Sequence, residues 1–246
     1  MSKVTCLEVK GLSKWFGGLA ANSDIDFSIN EGEIVSIIGP NGAGKSTLFN
    51  CITGFYKPSS GNVTFYGRDI TRLGADKICK IGIARTFQIV QVISDMTVLE
   101  NVTTGALLRF QRIRPAMNKA EEILNFTGLN EKKDFLATEL TIADKKRLEV
   151  SMALATQPRL LMLDESMAGL NKVELQQIID LIKKIREKGM TLIVVEHVME
   201  AVMKISDRVV VLNSGKKIMD GSPKEVVSNP EVIQAYLGEK YRAVAK

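Results

Sequence analysis

Between Gly39 and Thr47 the chain reads Gly39-Pro40-Asn41-Gly42-Ala43-Gly44-Lys45-Ser46-Thr47, and no other stretch restricts its possible folds so severely. The spacing is G-x-x-x-x-G-K-[ST]. It follows a buried-strand pattern at Glu33 to Ile38, and a helix is predicted to start within Lys45 to Cys51. Strand, glycine loop and helix together let backbone N–H groups converge on phosphates at a helix N-terminus, where the dipole favours negative charge. In that arrangement Lys45 meets the β- and γ-phosphates of ATP, and the Ser46 hydroxyl takes a position on Mg2+. A glycine-rich turn that happens to precede a helix is the plainer alternative, and the flanking strand and helix argue against it.

The rest of the chain supplies the sheet such a loop needs. Strands are predicted at Thr5 to Lys10, Ser23 to Ile29 and Val63 to Tyr66, then at Leu160 to Leu163, Thr191 to Val195 and Val209 to Leu212. Helices are predicted at Val173 to Lys188 and His197 to Ile205, and this alternation implies a mostly parallel sheet covered on both faces. From about 98 to 156 the apolar spacing turns helical and strand signals vanish, so a helical subdomain is expected inside a single unit spanning residues 1–246. With 246 residues and 45% hydrophobic composition, the chain is long enough for one continuous core.

Charge and cysteine content exclude several classes. The net charge of +5, from 33 basic and 28 acidic residues, is spread along the chain, and nucleic acid is not expected as a partner. Cys6, Cys51 and Cys79 lack metal-ligand spacing, which fits a reducing, cytoplasmic setting. No segment has the length and apolarity of a spanning helix, so any link to a membrane is expected to run through a partner.

Three further residues point to the same site. Arg159 to Glu165 is a short apolar strand ending in Asp164 and Glu165, which places both acids at the carboxyl edge of the sheet, beside the phosphate loop. Neighbouring side chains at a strand end point differently, so Asp164 is expected to hold Mg2+ through water and Glu165 to polarise the attacking water. His197, the only histidine, follows the strand Thr191 to Val195, where ligands of such sheets bind. An isolated Asp-Glu pair or a lone histidine is ordinarily structural, and here the phosphate loop upstream tips the reading toward function.

The ordered set resembles an ATP-binding-cassette ATPase over nearly the whole chain. Arg85-Thr86-Phe87-Gln88 looks like the Q-loop, Ala168-Gly169-Leu170-Asn171 like the D-loop and Glu196-His197 like the switch-histidine segment. The resemblance implies a P-loop NTPase (RecA-like) α/β fold, with an N-terminal antiparallel β subdomain beside the helical one. It also implies that Gln88 touches Mg2+ or the attacking water and relays contact with a membrane subunit, and that His197 contacts the γ-phosphate. Phe16, in Trp15-Phe16-Gly17-Gly18, aligns with the aromatic residue that stacks on adenine; packing within the small sheet is the alternative.

The chain is similar, more narrowly, to the larger ATPase subunit of bacterial branched-chain amino-acid importers. Met96 to Val102, Met167 to Asn171 and the tail Asn229 to Gly238 carry that likeness, and importers of amides or urea share these cues. The implied partners are integral membrane permease subunits, a second ATPase subunit (paralogue or self) forming a dimer and, indirectly, a solute-binding protein. The implied place is the cytoplasmic face of the cell membrane, as a peripheral subunit. The apolar residues Ile89, Val90, Val92 and Ile93 are candidates for the permease-docking surface, with the core as the alternative.

Two positions depart from the family pattern. Ser166 replaces a usual proline, and Leu140-Thr141-Ile142-Ala143-Asp144 occupies the place of the signature Leu-Ser-Gly-Gly-Gln. Ile142 and Ala143 add bulk where glycine lets backbone approach a phosphate. Thr141 to Asp144 reads as a variant capping box, with Asp144 expected to bond back to the helix start and bring negative charge near an incoming triphosphate. The rival functions are a soluble ATPase of the same fold acting on nucleic acid or ribosomes, which would be expected to carry a tandem cassette or basic extension, and a small-molecule kinase, which needs an acceptor pocket.

Overall fold

The computed structural model describes residues 4–235. The chain begins with a long hairpin of β1 (Thr5–Phe16) and β2 (Leu19–Asn30), followed by β3 (Ile34–Ile38) and α1 (Lys45–Ile52). After these come β4 (Ser60–Phe65), β5 (Arg68–Asp69), α2 (Ala75–Ile81) and β6 (Ile83–Arg85). Three helices then run without an intervening strand: α3 (Val98–Ala106), α4 (Ile113–Thr127) and α5 (Ile142–Ala155). The last third alternates β7 (Leu160–Asp164), α6 (Lys172–Glu187), β8 (Thr191–Val195), α7 (Met199–Ile205) and β9 (Arg208–Asn213), closing with β10 (Lys216–Gly221) and α8 (Pro223–Ser228).

These elements form two sheets. An antiparallel sheet has the order β2-β1-β4-β5, and a six-stranded sheet has the order β10-β9-β3-β8-β7-β6. In the second sheet β9, β3, β8, β7 and β6 pair in parallel, and only β10 runs antiparallel, against β9. All residues of β3, β7 and β8 are buried, because each strand has layers on both faces. Val35 and Ile37 face the layer shared with β1, β2 and α1, whereas Ile34 faces the layer of α6 and α7. The helices α3, α4 and α5 enclose their own cluster around Val98, Val102, Leu124 and Leu148.

β1 continues past its predicted end at Lys10. Its register shifts between Val9 and Leu12, where Gly11 adopts φ +56°, and the strand then carries on to Phe16. That bulged extension delivers Phe16 to the edge of the nucleotide cleft. The helix predicted from His197 starts instead at Met199. Val198 stays extended as its N-cap, so His197 lies on the connection and keeps its side chain exposed.

Candidate nucleotide site

The loop after β3 is shaped by glycines that tolerate no side chain. A Cβ on Gly39 would be driven into the Leu212 carbonyl oxygen, and one on Gly44, at φ +98°, into the Ala21 carbonyl oxygen. α1 opens directly with Lys45, which is buried and donates from Nζ to the carbonyl oxygens of Gly39 (2.7 Å) and Pro40 (3.0 Å). Its ammonium therefore bridges the two ends of the loop. Ser46 is exposed, and Asn41 to Thr47 form one wall of a cleft of about 930 Å³ whose other walls include Phe16, Gln88, Glu165 and His197.

Asp164 is the last residue of β7 and is almost wholly buried. Arg85 donates from Nη2 to Asp164 Oδ2 at 3.2 Å, and the Asp164 backbone N–H donates to the Thr86 hydroxyl at 3.0 Å. Burial raises its carboxyl above the ordinary carboxylate value, against the opposing pull of Arg85. Oδ1 is buried with no hydrogen-bond partner, an arrangement that suits a cation or its water and is otherwise costly. With the exposed hydroxyl of Ser46 in the first turn of α1, the chain offers hard-oxygen donors of the kind that fit Mg2+.

The next residue turns sharply. Glu165 has φ +47°, a left-handed conformation that costs about 1 kcal/mol or more for a residue with a Cβ. Its N–H is tied to the Val195 carbonyl at 2.9 Å, and its Oε2 accepts from Gln88 Nε2 at 3.0 Å. Gln88, from the segment after β6, and Glu165, from the turn after β7, are thus in direct contact before any phosphate is bound. Beside them Glu196 is fully buried; its Oε1 accepts from the Met167 N–H at 2.8 Å, and burial pushes its carboxyl up to about 7.

Phe16 is 42% exposed, stands edge-on to Tyr56 at 5.3 Å and has the Lys14 ammonium 5.0 Å from its ring centre. It is therefore at the cleft rather than in the small sheet's core. Asn171, in the D-loop segment, caps α6 by accepting from the N–H groups of Val173 and Glu174.

The altered signature is elsewhere. None of Leu140 to Asp144 lines the cleft. Leu140 packs into the helical cluster, Ile142 is 67% exposed on the first turn of α5, and Ala143 is buried. The expected capping box forms only in part. Thr141 is the N-cap and accepts from the Asp144 N–H at 3.2 Å, but the Asp144 carboxylate turns to the Thr141 hydroxyl (3.0 Å) rather than to its backbone N–H. The expected negative charge near an incoming triphosphate is offset within the chain. Lys132 lies 2.5 Å from Asp144 Oδ2 and Arg147 lies 3.7 Å from Oδ1, so two cations neutralise this buried carboxylate.

Two side chains of α5 had no motif to announce them. Lys146 donates from Nζ to the carbonyls of Glu165 (3.2 Å) and Ala168 (2.5 Å). One turn on, Glu149 Oε1 accepts from the N–H groups of Phe87 (2.9 Å) and Gln91 (3.3 Å). Their only sequence signal is the presence of charged residues on an otherwise buried helix face. Of the apolar run after Gln88, Ile89 (77%) and Ile93 (42%) are exposed, whereas Val90 is half-buried and Val92 packs against the helical cluster.

The sequence matches the family model described as ABC transporter over residues 22–168, and the one described as branched-chain amino acid ATP-binding cassette transporter over residues 216–242. The second match spans the tail, of which Tyr236 to Gly238 lie outside the described residues. The chain is 43% identical over 249 residues to the high-affinity branched-chain amino acid transport ATP-binding protein LivG of Salmonella typhimurium, covering 95% of this chain and 98% of that one. It is 41% identical over 251 residues to the corresponding protein BraF of Pseudomonas aeruginosa, with the same 95% and 98% coverage. Among solved structures, an ATP-binding cassette of an ABC transporter in its ADP conformation superposes with a TM-score of 0.87 at 33% identity, covering 95% of this chain and 99% of that chain. A dimeric cassette in a post-hydrolysis state, bound to ADP and Pi, superposes with a TM-score of 0.80 at 27% identity, covering 88% and 98%. The chain belongs to the ABC transporter family, as an ATP-binding cassette ATPase.

Proposed function

We propose that this chain is the ATP-hydrolysing subunit of an importer for branched-chain or related amino acids, held at the cytoplasmic face of the membrane by permease subunits. The observation that carries the catalytic part is the cleft in which Gln88, Glu165 and His197, from three separate segments, meet the glycine loop and Lys45, with the buried Asp164 carboxylate under the influence of the Lys45 charge. The substrate class rests on the relatives' printed activity.

In this reading the loop N–H groups and Lys45 hold the β- and γ-phosphates, and Phe16 stacks on adenine. Glu165 accepts a proton from water as the water oxygen attacks the γ-phosphorus. The bond to the β–γ bridging oxygen breaks, and ADP and phosphate leave. Gln88 and His197 orient the water and the γ-phosphate. Ser46, Gln88 and, through water, Asp164 are the residues that would hold Mg2+, which supplies charge neutralisation at the phosphate oxygens.

The helical unit of about 98–156 is proposed to work as part of one cassette spanning 1–246. A groove of about 290 Å³ between this unit and the sheet is lined by Phe55, Phe87, Gln91 and Met152, with Ile89 and Ile93 exposed nearby. That apolar surface supports docking of a permease helix. No described helix is long and apolar enough to cross a membrane. The cassette acts as a dimer in which a second subunit supplies the signature facing this chain's phosphate loop.

Uptake of labelled branched-chain amino acids into vesicles carrying the permease, with this chain wild type or Glu165→Gln, tests the assignment. ATP-driven uptake should stop in the variant. Undiminished uptake would remove the chain from the motor role.

A further inference from the structure

Among the described residues Arg85 is the one guanidinium that reaches both the Asp164 carboxylate and the groove between sheet and helices. It is the last residue of β6, and its side chain is 11% exposed. Nη2 pairs with Asp164 Oδ2 at 3.2 Å, and Nε donates to the Thr86 carbonyl at 3.1 Å. Nη1 donates to Asn50 Oδ1 (2.6 Å) on α1 and to Thr53 Oγ1 (3.2 Å) at its C-cap. The rings of Phe49, Phe55 and Phe87 surround the guanidinium, with centres 5.0, 5.2 and 4.6 Å from its carbon. Phe55, Phe87, Glu149 and Arg85 itself also line the groove.

Such a fork does what a point charge cannot. A planar guanidinium with fixed donors satisfies the end of the phosphate-loop helix, the strand end and the backbone at once, and stacks on aromatic faces while remaining charged. By occupying Oδ2 it leaves Oδ1 as the one Asp164 oxygen without a partner.

We propose that Arg85 is a positioning residue that orients the Asp164 carboxylate for Mg2+ and ties that carboxylate to the wall of the docking groove. The proposal rests on the nucleotide-site reading above.

The test is equilibrium binding of a fluorescent ATP analogue to the purified full chain, titrated with MgCl2 and repeated in EDTA, for wild type, Arg85→Met and Arg85→Lys, with thermal melting as a check on folding. Arg85→Met should raise the Mg2+ concentration for half-maximal binding about tenfold or more, the loss expected when one partner of a buried charged pair is removed. Binding in EDTA should stay within about twofold of wild type, and Arg85→Lys should fall between, because it keeps the charge and loses the fork. A wild-type Mg2+ requirement in whichever of the two variants folds, or an equal loss with and without Mg2+, would overturn the proposal. Absence of nucleotide binding by the wild-type chain would instead overturn the nucleotide-site reading.

Discussion

At Gly39–Thr47 glycines hold the backbone in a shape that no side chain would allow, and a lysine at the head of a helix bridges the loop. At Thr141–Asp144 another helix start has folded its polar groups back on itself. The Thr141 hydroxyl both accepts from and donates to Asp144, whose carboxylate is covered by Lys132 and Arg147, and Ile142 projects outward beside it. Both are helix N-termini with the same favourable dipole. A phosphate site also needs a backbone it can approach closely, and the glycines of the first region keep that approach open where Ile142 and Ala143 add bulk. We propose an asymmetry: this chain brings a competent nucleotide-binding half and a poor signature half to a dimer.

The largest expected effects break the first region. Lys45→Ala should lower ATP affinity at least about a hundredfold, since a buried phosphate-facing charge is lost. Glu165→Gln should bind ATP normally and turn over about 10²- to 10⁴-fold more slowly, the range of a general base. Labelled-nucleotide binding and phosphate release on both proteins distinguish the two, and brisk turnover by Glu165→Gln would remove Glu165 from the water-activating role.

A smaller effect concerns the apolar surface after Gln88, beside the groove between the helices and the sheet. Asp substituted at Ile89 or Ile93, both exposed, should weaken co-purification with the permease about tenfold while leaving the melting temperature unchanged. Full retention of the permease by both variants would break the docking assignment.

A separate effect, on stability rather than on binding or turnover, is expected from Glu149. Burial pushes the Glu149 carboxyl up to about 7 from an ordinary 4.5, with Arg85, Lys146 and the Phe87 and Gln91 N–H groups opposing. Because the folded value is raised, this group's contribution is fully present below about pH 4.5 and is lost as pH rises through about 7. Glu149→Gln keeps an acceptor for those N–H groups and cannot ionise. It should therefore gain on wild type between pH 5 and 8, by up to about 3 kcal/mol at the upper end. Denaturant unfolding at both pH values measures the gap, and a gap that does not widen with pH would show that the carboxylate is compensated in place.

Much of this was legible in the chain itself, and the failures have physical causes. β3, β7 and β8 were visible because fully buried strands leave unbroken apolar runs, and the phosphate loop because its glycines are stereochemically required. β6 was missed: three residues are too few to show a period. The extension of β1 to Phe16 was hidden by the bulge at Gly11, which shifts the alternation. α8 went unnoticed although Ser222, Pro223 and Glu225 spell a capping box with proline in the first turn. At the site, Asp164, Glu165 and His197 could be placed from strand ends. Arg85, Lys146 and Glu149 act through contacts between distant segments, which no local pattern encodes. The Asp144 charge was misjudged for the same reason, since Lys132 reaches it from a separate turn of chain.

The asymmetry is tested most directly by restoring Ser-Gly-Gly-Gln at Thr141 to Asp144 and measuring the ATPase rate of the complex assembled with its membrane partners. That change removes Ile142 and frees the hydroxyl from its carboxylate partner. The account predicts a severalfold rise as the second composite site begins to turn over. An unchanged or lower rate would mean that the native Thr141–Asp144 segment already closes properly on nucleotide.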